Sequence, residues 1–284
     1  MLCLGAYLTV ELCVLYVWSS AGQVFSLQGP ADGASTLPVT AAAMVNLYLC
    51  LMAWRSFRSR TPLRPAWTLI ALTAAAQGVP CMLAQLLGPA GMPAGLRISV
   101  AILAGPVRFT LLAVALLSAL RILRRFGFWV RPTAFDWAVC GVAGLFAVCR
   151  FVEAGWASGT APISAEAWTS LASHVLLCIL FLEAALLRQS AVRMGHGPIA
   201  RCWTTFAHAI FLTGLSELAL WMAPHYTHAV PPAMIQSLLQ FVAVAIFALA
   251  PAHQLAAQHL ATKPAEAPRS GWATSVPATA QTPQ

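Results

Sequence analysis

Charged residues are scarce in this sequence. Only 8% of its 284 residues are charged and 60% are hydrophobic, whereas a soluble domain carries about 25% charged residues. A water-soluble fold of this length could not cover its surface with so few charges. We therefore expect an all-α, polytopic membrane helical bundle, whose main partner is the lipid bilayer.

Lysine and the common catalytic motifs are also missing from the apolar segments. Lys263 is the only lysine among the 16 Lys and Arg residues and lies outside every apolar run, which excludes a retinal Schiff base inside a helix. HExxH, GxSxG, P-loop and CxxC motifs do not occur. We predict no catalytic residues, no metal and no cofactor. The basic residues are spread over several loops, so we predict no nucleic-acid partner either.

Eight apolar segments are each close to the roughly 20 residues that a helix needs to cross a bilayer. Short linkers join them, so we expect successive antiparallel hairpins in an integral membrane domain (1–260), followed by a disordered cytoplasmic tail (261–284). The eight predicted spans are Leu2–Ser19, Thr36–Trp54, Pro65–Leu87, Ile98–Leu120, Ala134–Trp156, Ala167–Leu187, Cys202–Ala223 and Pro232–His253.

The basic residues predict the orientation of these spans. The loops 55–64, 121–131 and 188–201 and the tail carry most of the arginines, whereas the opposite loops carry only Arg97. Because basic loops stay in the cytoplasm, we expect both termini to be cytoplasmic. The preference for arginine over lysine is typical of a GC-rich bacterial genome, so we expect the bacterial inner (plasma) membrane.

The first span, Leu2–Ser19, allows two interpretations. It contains Glu11 and is preceded by no basic segment, which argues against an export signal. The small residues Ser20, Ala21 and Gly22 after it are typical of a cleavage site. We expect a retained helix; cleavage would leave seven helices and place the N-terminus outside.

Tryptophans fall near the ends of many predicted spans, where amphipathic indoles favour the headgroup level. We expect two belts, one at each membrane interface. The predicted outer belt contains Trp18, Trp156, Trp168 and Trp221, and the predicted inner belt contains Trp54, Trp67, Trp137 and Trp203.

The span Ile98–Leu120 carries a full charge near its middle, Arg108, shortly after Gly105 and Pro106. An arginine at the bilayer centre costs about 2.5–3.5 kcal/mol on insertion scales, so it needs a partner. One interpretation is a buried ion pair with Glu11. The other is a binding site for an anion, a carboxylate or a phosphate.

The preceding span contains a similar interruption, Gln77-Gly78-Val79-Pro80. Two neighbouring helices broken at the same depth resemble the discontinuous helices that line transporter sites. Ordinary proline kinks are the alternative. If the helices are broken, Gln77 faces the same central region as Arg108 and can donate to a ligand.

A second polar group is predicted between the midplane and the outer face, where four pairs of residues lie three or four apart on their helices. If these faces turn inward, they line a cavity that is open to the outside; otherwise each pair makes a helix–helix hydrogen bond. The pairs are Arg150 and Glu153, Ser170 and His174, Thr213 and Glu217, and Gln236 and Gln240.

Glu183 is a further acidic residue within a span. It lies nine residues beyond His174, on the opposite side of a helix, so the two cannot serve one compact site. We expect Glu183 either to pair with an arginine of an inner loop or to carry protons in a coupled transporter.

These observations favour a protein that binds or transports a small, anionic solute near Arg108. The predicted ligand-binding residues are Arg108, Glu11, Gln77, Arg150, Glu153, His174, Glu217 and Gln240. One alternative is a membrane sensor or scaffold that acts through a separate membrane or cytoplasmic partner protein. Another is an intramembrane enzyme or a haem-binding protein.

Overall fold

The computed structural model describes residues 37–58, 61–91, 93–128, 130–158, 165–222 and 232–262. All regular structure in these residues is helical, and it forms seven helices. Six of the seven, all except α6, are long and apolar enough to cross a membrane. The helices are α1 (Leu37–Ser56), α2 (Arg64–Gly91), α3 (94–125), α4 (Ala134–Ser158), α5 (Ala165–Arg193), α6 (Pro198–Met222) and α7 (Pro232–Thr262).

The seven helices form a helical membrane bundle and correspond to the second to eighth predicted spans. The first span, with Glu11, and the predicted tail beyond Thr262 lie outside the described residues. Helix α3 is continuous but not uniform. It consists of an α-helical segment, Ala94–Ile102, a π-helical segment, Leu103–Val107, and a second α-helical segment, Arg108–Arg125.

Six of the helices close into a ring. Helix α1 packs against α2, α2 against α3, α3 against α5, α5 against α6, α6 against α7, and α7 returns to α1. Helix α4 packs against α5, and its apolar side chains are largely exposed, as Phe135, Val142 and Leu145 show. Because α3 packs on α5, the chain does not simply form a series of hairpins: α4 lies outside the ring, with an apolar surface suited to lipid.

At one end of the bundle lie the starts of α2, α4 and α6 and the ends of α1, α3, α5 and α7. The indole N–H of Trp54, near the end of α1, donates to the hydroxyl of Thr68 at 3.0 Å. The amide of Gln189, near the end of α5, donates to the Asp136 carboxylate at the start of α4. We call this the arginine-rich end, because it carries Arg55, Arg64, Arg121, Arg188 and Arg201.

Two local motifs define helix ends there. At the start of α4 the backbone N–H and the hydroxyl of Thr133 both donate to Asp136, at 2.6 and 2.7 Å, in a capping-box arrangement. At the end of α3 the N–H of Phe128 reaches the carbonyl of Leu123 at 3.0 Å. Gly127, just before Phe128, has a φ of 83°. This left-handed conformation is the one that the Schellman motif requires after a helix C-terminus.

The core near the arginine-rich end is aromatic. Trp67, Trp203 and Phe206 are fully buried, and the rings of the two tryptophans lie 6.5 Å apart. The prediction that both indoles lie among lipid headgroups was therefore wrong. Their position along the helix was the only basis for it, whereas helix packing turns these faces into the bundle. By contrast, Trp137 on α4 is exposed.

Candidate functional site

The π-helical segment determines where Arg108 points. The N–H of Arg108 bonds to the carbonyl of Leu103, five residues earlier, whereas an α-helix uses the carbonyl four residues earlier. Pro106 lies within this turn and has no N–H to donate. One extra residue rotates the rest of the helix by about 100°. As a result Arg108 and Phe109 lie on the inner side of the ring.

Close packing against α5 accompanies this irregular turn. A Cβ atom at Gly105 would lie 2.6 Å from the hydroxyl oxygen of Ser173, which is closer than van der Waals contact allows. The hydroxyl of Ser173 also donates to the carbonyl of Thr169 at 2.9 Å. Only glycine fits between the two helices at this point without a shift, so Gly105 lets the π-helical segment approach α5.

A cavity lies inside the ring next to Arg108, and we call it the central cavity. Five of the six ring helices line it, and its volume of about 30 Å³ has room for about two water molecules. Four of its lining residues are polar and eight are apolar. The polar residues are Thr73, Gln77, Arg108 and Thr213, and the apolar residues are Phe109, Leu112, Leu177, Leu180, Ile210, Ala243, Val244 and Phe247.

The charge of Arg108 is only partly balanced by its described neighbours. Its guanidinium carbon lies 4.4 Å from the centroid of the Phe109 ring, a cation–π contact. Its Nε is buried and makes no hydrogen bond within the described part of the chain. The carboxylate of Glu217 interacts with it electrostatically. A partly buried cation whose buried Nε–H is unused favours an anionic or strongly polar ligand.

His174 of α5 and Glu217 of α6 meet one turn beyond the central cavity. Nε2 of His174 lies 3.9 Å from Oε2 of Glu217, and the imidazole is buried. Leu177 and Thr213, which follow and precede them by one turn, line the central cavity. The pair lies on the side of the cavity away from the arginine-rich end, so the structure brings these two predicted site residues together.

Gln77 lies beside Arg108 in the central cavity, but α2 is not broken there. It continues as an α-helix through Pro80 to Gly91, so of the two interpretations the broken helix does not hold for α2 and the alternative, an ordinary proline within a helix, does. A proline inside a helix removes one hydrogen bond, and neighbouring helices can accommodate that loss in a membrane bundle. Among the described helices, the π-helical irregularity lies in α3, at Leu103–Val107.

Arg150 and Glu153 form the predicted pair on α4, with 2.9 Å between Nη1 and Oε2. They are partly exposed and lie on the helix outside the ring, so the structure does not bring them to the central cavity. Gln240 lies on α7 one turn from Ala243, a lining residue. Glu11 lies outside the described residues.

Sequence reasoning missed several residues of the central cavity. Thr73 lies four residues before Gln77, on the same face of α2, a spacing that could have indicated it. Nothing in the sequence distinguished Phe109 and Phe247 as cavity residues, because apolar residues fill every span. Within the described residues, no group of three or more His, Cys, Asp or Glu side chains could hold a metal ion.

The comparisons with known proteins found no relative of this chain. The chain matches no protein-family model, no curated protein and no solved structure.

Proposed function

We propose that this membrane protein binds a small anion at Arg108 and carries it across the bilayer. One observation supports this proposal above the others. The Nε of Arg108 is buried beside the central cavity and has no hydrogen-bond partner among the described residues. A guanidinium presents its N–H donors in a planar fork that matches the oxygens of a carboxylate or phosphate.

One other polar residue of the central cavity, Gln77, can donate to such a ligand. Gln77 contributes an amide, and Thr73 and Thr213 contribute hydroxyls. Both hydroxyl groups donate to carbonyls of their own helices, at 2.8 and 2.9 Å, so their oxygens remain as acceptors. Arg108 and Gln77 are therefore the main donors to an anion.

The size of the central cavity indicates a closed state. Room for about two water molecules is too small for most carboxylates, so the ring must open to admit a solute. We place that change at the π-helical segment, since its hydrogen bonds are already irregular. The eight-helix count and the cytoplasmic position of the arginine-rich end in a bacterial inner membrane belong to this proposal; the positive-inside rule supports the orientation.

Binding and flux measurements test the proposal. Purified protein is titrated with formate and with inorganic phosphate, and proteoliposomes are assayed for phosphate and succinate uptake. We expect wild-type protein to bind at least one probe. Arg108→Gln should weaken that binding about 10- to 100-fold, because a hydrogen bond to a charged group contributes about 1.5–3 kcal/mol.

Arg150→Gln is the matched control, since Arg150 is also an arginine within a helix but lies outside the ring. Its binding should equal that of wild type. Equal losses in the two variants, or no binding of either probe by wild type, would overturn the proposal. Binding without uptake would reject carriage and favour a sensor that acts through a partner protein.

A further inference from the structure

We infer that the central cavity selects a small, planar, monovalent anion that is weakly hydrated in water, and that it discriminates against phosphate and sulfate. This inference rests on the proposed anion site at Arg108 and names the class of anion that the site takes. Four features of the central cavity support it: its volume, its charge, its few hydrogen-bond donors and its apolar lining.

The volume of the central cavity limits the size of the anion. The cavity has room for about two water molecules, which together occupy about 60 Å³ in the liquid. A small planar anion such as nitrate or formate replaces a similar volume of water. Phosphate and sulfate are tetrahedral and larger, so the ring could not close around them in the conformation that the structure shows.

The charge of the central cavity favours a monovalent anion. Among the described residues that line it, Arg108 is the only charged one. A monovalent anion and the guanidinium together are neutral, whereas a divalent anion leaves one negative charge among apolar side chains. Since the cost of moving an ion from water into a low-dielectric interior rises steeply with its charge, the second charge is strongly disfavoured.

The central cavity offers few hydrogen-bond donors. Nε of Arg108 is buried and unused within the described part of the chain, and in a guanidinium its N–H lies parallel to an N–H of the neighbouring Nη, a pair that matches a planar oxyanion. Gln77 adds an amide. The hydroxyls of Thr73 and Thr213 donate to carbonyls of their own helices at 2.8 and 2.9 Å, so their protons are already used.

Apolar side chains surround the rest of the anion. Phe109, Leu112, Leu177 and Phe247 are buried and line the central cavity, and none of them can replace a hydrogen bond from water. Phosphate and sulfate bind water strongly on all sides and would lose most of those bonds. Nitrate spreads a single charge over its oxygens and loses the least, so the expected order of affinity is nitrate, then formate, then phosphate and sulfate.

Isothermal titration calorimetry measures this order. Sodium nitrate, formate, phosphate and sulfate are each titrated into purified protein at pH 7 and constant ionic strength. For wild type we expect nitrate to bind about 10-fold more tightly than formate, and formate at least about 10-fold more tightly than phosphate or sulfate, since each step strands one more hydrogen bond to a charged group. Arg108→Gln should weaken the binding of nitrate and formate alike.

An added donor should reduce the preference. Leu112 lies one turn beyond Arg108 on α3 and lines the central cavity. Leu112→Asn keeps a branched side chain and adds an amide N–H, which bonds more strongly to formate than to nitrate, so the preference for nitrate should fall from about 10-fold to about 3-fold or less. Leu117→Asn makes the same exchange at an exposed position of α3 and should keep the wild-type preference.

If Leu112→Asn does not fold, Leu177→Asn on α5 adds a donor from the opposite helix and gives a second test of the same expectation. Leu177 also lines the central cavity and is buried. A fall in preference that is equal in Leu117→Asn and in the cavity variant would overturn the inference, because the preference would then not arise inside the ring.

The outcomes separate this inference from the proposed anion site. Phosphate or sulfate binding as tightly as nitrate, or formate binding more tightly than nitrate, would overturn the selectivity and leave the anion site standing. Nitrate binding of unchanged affinity in Arg108→Gln would place it outside the central cavity and overturn both. Wild-type protein that binds none of the four anions would reject the anion site itself.

Discussion

The two halves of the six-helix ring are built from the same helices but differ in their interiors. Toward the arginine-rich end, Trp67, Trp203 and Phe206 fill the space between helices and are fully buried. Around Arg108 the ring encloses the central cavity, and one of its helices contains a π-helical turn. Phe247 joins the two halves, since it lines the cavity and its ring centroid lies 4.8 Å from that of Phe206.

This difference indicates a division of roles. We call the half that contains Trp67, Trp203 and Phe206 the aromatic half. Aromatic side chains bury large apolar areas against each other and pack in defined geometries, so this half holds the ring together. The half around Arg108, here called the polar half, contains a partly buried charge, a cavity and an irregular turn, each of which costs stability. Such features persist where the rest of the fold supports them, and here the aromatic half provides that support.

The largest expected effect tests the aromatic half. Phe206→Ala should lower the free energy of unfolding by about 3–5 kcal/mol, because it leaves a cavity among large, fully buried rings. Thermal or denaturant unfolding in detergent measures the change. Phe135→Ala, on the exposed face of α4, is the matched control and should change stability little. Equal effects of the two substitutions would show that the aromatic half is not the stabilising one.

An intermediate effect concerns the contact between α3 and α5. Gly105→Ala should cost about 1–3 kcal/mol, since the new methyl group meets the Ser173 hydroxyl. Ser173→Ala in the same protein should recover much of that loss, because it removes the clashing oxygen. A double-mutant cycle of unfolding free energies measures this coupling. Additive effects would mean that the close approach does not constrain the π-helical segment.

The smallest expected effect on stability is that of Arg108→Met. Arg108 is partly buried, and replacing an interior charge by an apolar side chain of similar length is often neutral or stabilising, so we expect a change within about 1 kcal/mol together with loss of anion binding. The thermal unfolding midpoint in detergent measures the first quantity. A loss of about 3–5 kcal/mol would instead indicate a broken buried ion pair and make Arg108 a structural residue like Phe206.

The sequence alone determined the helices and the residues that interrupt their apolar character. Seven of the eight predicted spans appear as helices at the expected places, because the length and hydropathy of a segment are local properties. The same local view located Arg108, and it placed His174 and Glu217 at one depth, since depth follows from counting residues along each helix.

Only the tertiary structure decided which faces of the helices meet. Trp67 and Trp203 turn inward although their position suggested lipid headgroups, and the paired Arg150 and Glu153 stay on a helix outside the ring. The π-helical turn at Pro106 rotates Arg108 into the ring, which no residue count reveals. The physical reason is that the rotation of a helix about its axis, and which helices it contacts, depend on packing between segments distant in sequence. Local hydropathy contains no information about that packing.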